Sequence, residues 1–90
     1  MTKAELVNEI AIETGYDKTT ITLIVESMMN NVKKSLVKKE NVYLRHFGSF
    51  NLVTRKQKVA RNITANKTVI VPEHQTVIFK ASAELQDAVR

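Results

Sequence analysis

The sequence predicts an α+β fold: a helical body (residues 1–40), then a three-stranded antiparallel sheet extended into a long β-ribbon (41–81, tip near 61–67) and a short C-terminal helix (82–90). Three observations predict it. Apolar residues recur at helical spacing up to Leu36, they alternate at a period of two from Val42, and turn-forming residues separate the later segments. Ninety residues, 43% hydrophobic and 26% charged, suit one domain and exclude a multidomain enzyme.

Two helices account for the first 40 residues. Thr2 and Glu5 form a capping box at the start of the first helix, Gly15 is placed to end it, and Asp17 is placed to cap the second. The second helix is expected to run to residues 36–38, with an apolar side made by Ile21, Ile24, Val25, Met28, Met29, Val32 and Leu36. This apolar side is wider than one short helix can cover, and a chain this short buries only about 60 to 65% of its unfolded surface. We therefore expect an intertwined dimer.

The period then changes to that of β-structure. Val42–Leu44 alternates as a short strand, and a turn at residues 46–49 leads into a second strand. Residues 64–66 are predicted to form a turn, and residues 67–79 to return as one strand in which Pro72 marks an edge or a bulge. Runs of about ten residues on either side of Ile63 reach about 30 Å at 3.3 Å per residue, so we expect a projecting two-stranded ribbon.

The last helix is predicted from Ser82, a capping residue, to the end of the chain. Leu85 and Val89 are four residues apart, which places them on one side of that helix. We expect this side to face inward.

The charge of +5 is unevenly distributed along the chain. No acidic residue occurs between Glu40 and Glu73, whereas six cations do: Arg45, Arg55, Lys56, Lys58, Arg61 and Lys67. Such a segment repels itself in isolation, so it predicts a polyanionic partner. Four further lysines, Lys33, Lys34, Lys38 and Lys39, suit the negative end of the second helix dipole and are interpreted as a solvated helix end.

Catalysis, metal binding and membrane insertion find no support in the sequence. There is no cysteine, His46 and His74 are isolated, and two glycines cannot form a phosphate-binding loop. We expect no catalytic residue, metal, cofactor or small-molecule substrate. The N-terminal residues lack the apolar run of a signal peptide and no apolar stretch is long enough to span a membrane, so a cytoplasmic protein is expected.

Four segments together carry a family resemblance. They are Phe47-Gly48-Ser49-Phe50, Arg61-Asn62, Phe79-Lys80-Ala81 and the tail Leu85-Gln86-Asp87-Ala88-Val89-Arg90. In this order and spacing they resemble the bacterial histone-like HU and integration host factor family, without gaps through essentially the whole chain. The resemblance implies an obligate dimer whose two ribbon arms embrace DNA in the minor groove, with a residue at each arm tip wedged between base pairs.

The resemblance also assigns roles to residues of this chain. Arg55, Lys58 and Arg61 occupy the basic positions of the arm, Asn62 matches the asparagine of the tip, and Lys3 and Lys80 match flanking positions that contact phosphate. The complete predicted DNA-binding set is Lys3, Arg55, Lys56, Lys58, Arg61, Asn62, Ile63, Thr64, Lys67 and Lys80. The aromatic core at the dimer base is expected from Phe47, Phe50 and Phe79.

The chain departs from the family at several positions. The tip motif is usually Arg-Asn-Pro, and here Ile63 replaces the proline, supplying the apolar bulk of an intercalating wedge without a fixed φ. Ala83 and Gln86 stand where lysine is common, which shortens the cationic track for flanking DNA, and His46 stands where glycine is usual.

Three hypotheses follow. The first is a homodimeric, largely sequence-nonspecific DNA-bending protein of the nucleoid that prefers nicked or distorted DNA, where deformation costs less. The second is a sequence-specific DNA-bending protein resembling integration host factor. The third is a basic interaction module that binds RNA or an acidic protein surface.

Overall fold

The computed structural model describes residues 1–62 and 67–90, with the surroundings of side chains described for residues 1–59 and 70–90. The predicted turn at residues 64–66, and the predicted DNA contacts Ile63 and Thr64, lie outside the described residues. Within them the α+β fold is confirmed. The elements are α1 (Lys3–Thr14), α2 (Lys18–Val37), β1 (Val42–Leu44), β2 (Gly48–Arg55), β3 (Lys58–Asn62), β4 (Lys67–Val71), β5 (His74–Ala81) and α3 (Ala83–Ala88).

Local side-chain chemistry sets the helix boundaries as predicted. The Thr2 hydroxyl accepts a hydrogen bond from the amide of Glu5 at 3.2 Å, which starts α1. Gly15 ends α1 in the left-handed region, with φ of 78°, and its amide donates to the Ala11 carbonyl at 2.9 Å. Asp17 caps α2 by accepting from the amide of Thr20 at 3.0 Å.

The five strands form two antiparallel sheets. One has the order β1-β2-β5 and the other pairs β3 with β4. Strands β2 and β5 pair from Gly48 opposite Ala81 to Arg55 opposite His74, and the second sheet pairs residues 58–62 with residues 67–71. Because β3 follows β2 and β4 precedes β5 in the chain, the two-stranded ribbon continues the β2–β5 hairpin. The chain is elongated and measures 57 × 31 × 28 Å.

The strand predicted over residues 67–79 is divided into two. Pro72 and Glu73 separate β4 from β5, and Lys56 and Gln57 separate β2 from β3 on the opposite side of the hairpin. Proline has no amide hydrogen to donate to a ladder, so it interrupts the pairing rather than continuing it.

The register gives the three-stranded sheet two unlike faces. One face, here called the inner face, carries Val42, Leu44, Gly48, Phe50, Leu52, Thr54, Gln75, Val77, Phe79 and Ala81. The other, the outer face, carries Tyr43, Ser49, Asn51, Val53, Arg55, His74, Thr76, Ile78 and Lys80. Apolar residues of α2 and of the inner face, among them Met28, Leu36, Phe50 and Val77, line one open depression.

The core enclosed by a single chain is very small. Among the described side chains only Val7 and Ile21 are buried, at 5% and 4% exposure. Between α2 and the inner face lies an open apolar depression of about 590 Å³, lined by Met28, Met29, Val32, Lys33, Leu36, Val37, Leu44, Phe47, Phe50, Leu52 and Val77. This depression is named the apolar groove below.

The prediction for the last helix is partly wrong. Ser82 caps α3 as expected, accepting from the amide of Leu85 at 3.1 Å. The helix ends at Ala88, however, and Val89 is 79% exposed rather than turned inward. Val89 is the C-cap and lies beyond the last residue of the helix.

Candidate nucleic-acid interface

The outer face of the sheet gathers cations and polar groups. Tyr43, Ser49 and Lys80 lie in one row across the three strands because Tyr43 is opposite Ser49 and Ser49 is opposite Lys80. Arg45 follows Tyr43 at the next position but one, and it borders the same shallow depression as Ser49 and Lys80. Both strand segments continue from this row towards the ribbon, where Arg55 ends β2.

Arg45 was not among the predicted contacts, although it belongs to the acid-free segment. The sequence gives its period-two relation to Tyr43, but only the cross-strand register brings it beside Lys80, which is 35 positions away along the chain. The signal that could have found it is the alternation of Val42 and Leu44 with Tyr43 and Arg45, once the apolar pair is assigned to the inner face.

The ribbon continues the cationic surface away from the body. Lys56 lies in the interruption between β2 and β3, and Lys58 begins β3 opposite Val71. In the backbone register, Arg61 is opposite Thr68 and Asn62 is opposite Lys67. Three of the predicted DNA contacts, Arg61, Asn62 and Lys67, therefore belong to the same end of the ribbon. The ribbon also exposes an apolar cross-strand pair, Val59 and Ile70, which are 64% and 61% exposed.

Lys3 belongs to the first turn of α1 and not to the sheet or the ribbon. Its ammonium nitrogen is 3.0 Å from a carboxylate oxygen of Glu26 on α2, and both side chains are about half exposed. A phosphate contact by Lys3 therefore has to compete with Glu26, and an exposed pair of this kind contributes little to stability.

The turn between β1 and β2 is tied to the start of α3. His46 adopts a φ of 67°, and its carbonyl oxygen accepts from the Ser82 hydroxyl at 3.0 Å. The amide of Ser82 donates to the Phe47 carbonyl at 2.8 Å, and the His46 ring lies 2.9 Å from the Glu84 carboxylate. These contacts hold the end of β5, and with it Lys80, against the turn that carries Arg45.

The three phenylalanines form a cluster on the inner side of the sheet. The ring centroids of Phe47 and Phe79 are 5.6 Å apart, and those of Phe50 and Phe79 are 5.1 Å apart, both at tilted angles. Phe47 is nevertheless 50% exposed and Phe79 is 42% exposed. The cluster is a partly covered apolar surface beside the apolar groove, and its role as a dimer core stays a prediction.

Among the described residues, no group of three His, Cys, Asp or Glu side chains is arranged to hold a metal ion. The described part of the chain also contains no helix that is long and apolar enough to cross a bilayer.

Comparisons with known proteins agree with this architecture. Residues 1–90 match a family model described as bacterial DNA-binding protein. The chain is 35% identical over 89 residues to integration host factor subunit alpha of Actinobacillus pleuropneumoniae, covering 99% of this chain and 91% of that protein. It is 31% identical over 90 residues to the DNA-binding protein HU of Staphylococcus aureus, covering 100% of both. Its backbone matches that of HU in an Anabaena HU–DNA co-crystal with a TM-score of 0.93 at 25% identity, covering 99% of this chain and 97% of that one.

Proposed function

This chain belongs to the bacterial DNA-binding protein family of HU and integration host factor, a family of architectural proteins rather than enzymes, and we propose that it acts as a homodimer that binds duplex DNA largely without sequence specificity and bends it. The proposal places it on the bacterial nucleoid in the cytoplasm, with DNA gripped through the minor groove by two ribbons.

The observation that carries the proposal is the acid-free cationic surface. Arg45, Arg55 and Lys80 on or beside the outer face lead into Lys56 and Lys58 at the base of the ribbon, and residues 41–72 contain no carboxylate to oppose them. Cations in such a row neutralise phosphates and release counterions, which gives affinity for any duplex sequence.

Bending requires an apolar group that can unstack a base step. Ile63 is the proposed wedge, on the basis of its position beside Arg61-Asn62 in the sequence and the family's use of an apolar residue there. Minor-groove contacts distinguish little beyond A·T from G·C, so Arg61 and Asn62 are expected to give at most a mild preference.

The homodimer is proposed from the apolar groove. This open depression is bordered by Met28, Leu36, Phe50 and Val77, and one chain leaves it in contact with water. Only two of the described side chains are buried. A second copy that inserts the same elements would cover this surface on both chains and set two ribbons on one duplex.

The decisive experiment compares an intact duplex with one carrying a central nick, by gel shift and by cyclisation of short fragments. A nicked duplex costs less to bend, so tighter binding to it and faster cyclisation of intact fragments are expected. Equal affinity for both duplexes together with unchanged cyclisation would refute the proposal. Structured RNA serves as competitor, and stronger competition by RNA than by nicked DNA would favour the interaction-module hypothesis instead.

The wedge is tested with Ile63→Asp against Ile63→Leu as the matched control. Aspartate removes the apolar bulk, so it should reduce cyclisation while leaving much of the salt-dependent affinity, whereas leucine should retain both. Equal bending by the two variants would show that Ile63 is not the wedge.

A sequence-specific role is the second candidate, because the chain is 35% identical to an integration host factor subunit, compared with 31% to HU. Selection of bound fragments from random duplex DNA separates the two. A sharp consensus would favour the sequence-specific role, whereas an A·T bias without a consensus is expected for the proposed one.

A further inference from the structure

A second cationic surface lies at the end of α2. The lysine cluster consists of Lys33, Lys34, Lys38 and Lys39, all of them exposed. Ion pairs among the described side chains join Lys3 to Glu26 and Arg90 to Asp87, and His46 lies beside Glu84. None of these contacts involves the cluster. Residues 60–69 contain no Asp or Glu that could serve as a further partner. None of the four ammonium groups therefore has a carboxylate partner within ion-pair distance in the described part of the chain.

The helix dipole accounts for only part of this cluster, since its influence falls off within the last turn. Lys34 lies in the last turn, whereas Lys38 is the C-cap and Lys39 lies beyond it. The amide of Lys39 donates to the Leu36 carbonyl and the amide of Glu40 to the Ser35 carbonyl, both at 3.0 Å, which is the bonding of a Schellman motif.

Lys39 stands where that motif favours glycine. Its φ is 67°, a conformation that costs a residue with a Cβ about 1–2 kcal/mol. A lysine held there at a cost in stability indicates that its charge is useful to the protein, since glycine would end the helix with less strain. The interpretation of the cluster as simple solvation of a helix end leaves this residue unexplained.

The lysine cluster is separate from the outer face and lies beside the apolar groove. Helix α2 lies on the inner side of the sheet, whereas Arg55 and Lys80 belong to the outer face. A second shallow depression, lined by Asn30, Lys33, Lys34, Val37 and Lys38, adjoins the apolar groove. Lys33 and Val37 border both depressions, whereas Lys34 and Lys38 do not line the groove itself. The proposed dimer through the apolar groove therefore does not require Lys34 or Lys38, which are exposed in the single chain.

We propose that the lysine cluster is a second DNA-binding surface, which takes the phosphate backbone of another duplex while the outer face and ribbon hold the first. The inference rests on the proposed function for the first duplex. A dimer carries two copies of the cluster, so the protein would bridge duplexes as well as bend them. Contacts of this kind are sequence-independent and weaken steeply with salt, and the second duplex gains from being held near the first.

The test is capture of a fluorescent duplex by a bead-bound duplex of different sequence, with affinity for a single short duplex measured in parallel. Lys34→Gln/Lys38→Gln should lower capture roughly tenfold and change the affinity for the short duplex less than about twofold. Lys18→Gln/Arg90→Gln removes the same number of charges elsewhere and should retain capture. Lys33 is left unchanged because it borders the apolar groove.

A second variant separates charge from folding. Lys39→Gly removes one charge and also relieves the positive φ, so the protein should become more stable to heat while capturing less of the second duplex. If Lys39 had only a structural role, Lys39→Gly would change the stability to heat and leave capture of the second duplex unchanged.

Three results would overturn the inference: no capture by the unmodified protein, unchanged capture by Lys34→Gln/Lys38→Gln, or equal losses of capture and of affinity for the short duplex, which would mean that the cluster contacts the same duplex. Failure of the proposed function is recognised separately, by unchanged affinity for the short duplex in Arg55→Gln/Lys58→Gln.

Discussion

At the scale of single residues, the two glycines serve different physical needs. Position 15 calls for glycine because its backbone is left-handed, with φ of 78°, and not because of crowding, since a Cβ there would meet no atom within 4 Å. Gly48 has no positive φ, but a Cβ on it would lie 2.6 Å from the Lys80 carbonyl oxygen and would collide with the Phe79 ring. The motif Phe47-Gly48-Ser49-Phe50 therefore marks a close approach of β5 to β2.

Gly48→Ala is expected to lower the free energy of unfolding by about 1–3 kcal/mol, because the Lys80 carbonyl is held in the β2–β5 ladder and cannot move away. Urea denaturation at one protein concentration measures it. Ser49→Ala, on the outer face at the neighbouring position, is the control and should cost less. A loss no larger than that of the control would mean that β5 shifts freely.

Asp17 gives a pH dependence at the start of α2. The Thr20 hydroxyl donates to its carboxylate at 2.9 Å and the Thr20 amide donates at 3.0 Å, and these hydrogen bonds hold the pKa of Asp17 below its usual 3.8. A carboxyl group with a lowered pKa in the folded state stabilises the protein above its unfolded pKa, and this contribution is lost as the pH falls through the folded pKa.

The melting temperature of Asp17→Asn should therefore lie below that of the unmodified protein at neutral pH, and the difference should shrink on acidification below about pH 4. Other carboxyl groups titrate in both proteins, so the difference between the two curves is the quantity to follow. A difference that is independent of pH would assign the effect of Asp17 to something other than its charge.

At the scale of elements, the sequence predicted best what neighbouring residues decide. Thr2, Gly15, Asp17 and Ser82 act as caps through contacts within a few positions, and each was predicted. The division of the hairpin at Pro72 was predicted only as an edge or a bulge, since the opposite interruption at residues 56–57 depends on which residues face each other across the ribbon.

The candidate interface was likewise predicted where it depends on the sequence alone and missed where it depends on strand register. The acid-free segment and its cations are visible in the sequence, but the grouping of Arg45 with Lys80 requires the register of three strands. Val89 was misassigned because helical spacing describes which residues share a side of α3 and not whether the body covers that side. The contributions of Ile63 and Thr64 remain sequence-based predictions.

Arg55 and Lys58, at the base of the ribbon, are expected to bind DNA through contacts with its phosphates. Each of Arg55 and Lys58 that contacts a phosphate contributes about 0.9 to the slope of log affinity against log salt, so Arg55→Gln/Lys58→Gln should lower the magnitude of the slope by up to about 1.8 on every duplex sequence. Titrations at several salt concentrations measure it, with Lys18→Gln as the control. An unchanged slope would place the phosphate contacts elsewhere.

At the scale of the whole molecule, a single chain encloses little of its apolar surface. Among the described side chains only two are buried, and the apolar groove between α2 and the inner face is open to water. The proposed dimer resolves this, and it makes stability depend on protein concentration because association and folding are linked. The melting temperature should therefore rise as the protein is concentrated, and the sedimenting mass should be twice 10.2 kDa.

Val77→Asp tests this arrangement at one position. Val77 borders the apolar groove and is 45% exposed in the single chain, so a carboxylate there is tolerable in a monomer but is left buried and unpaired in the dimer. The homodimer buries two copies of this carboxylate, so a penalty of about 3 kcal/mol for each raises the dissociation constant of the dimer roughly 10,000-fold. Ile12→Asp introduces the same charge at a 70% exposed position of α1 outside the groove and should leave association unchanged. Sedimentation equilibrium compares the two, and equal association of both variants would show that the dimer forms through another surface.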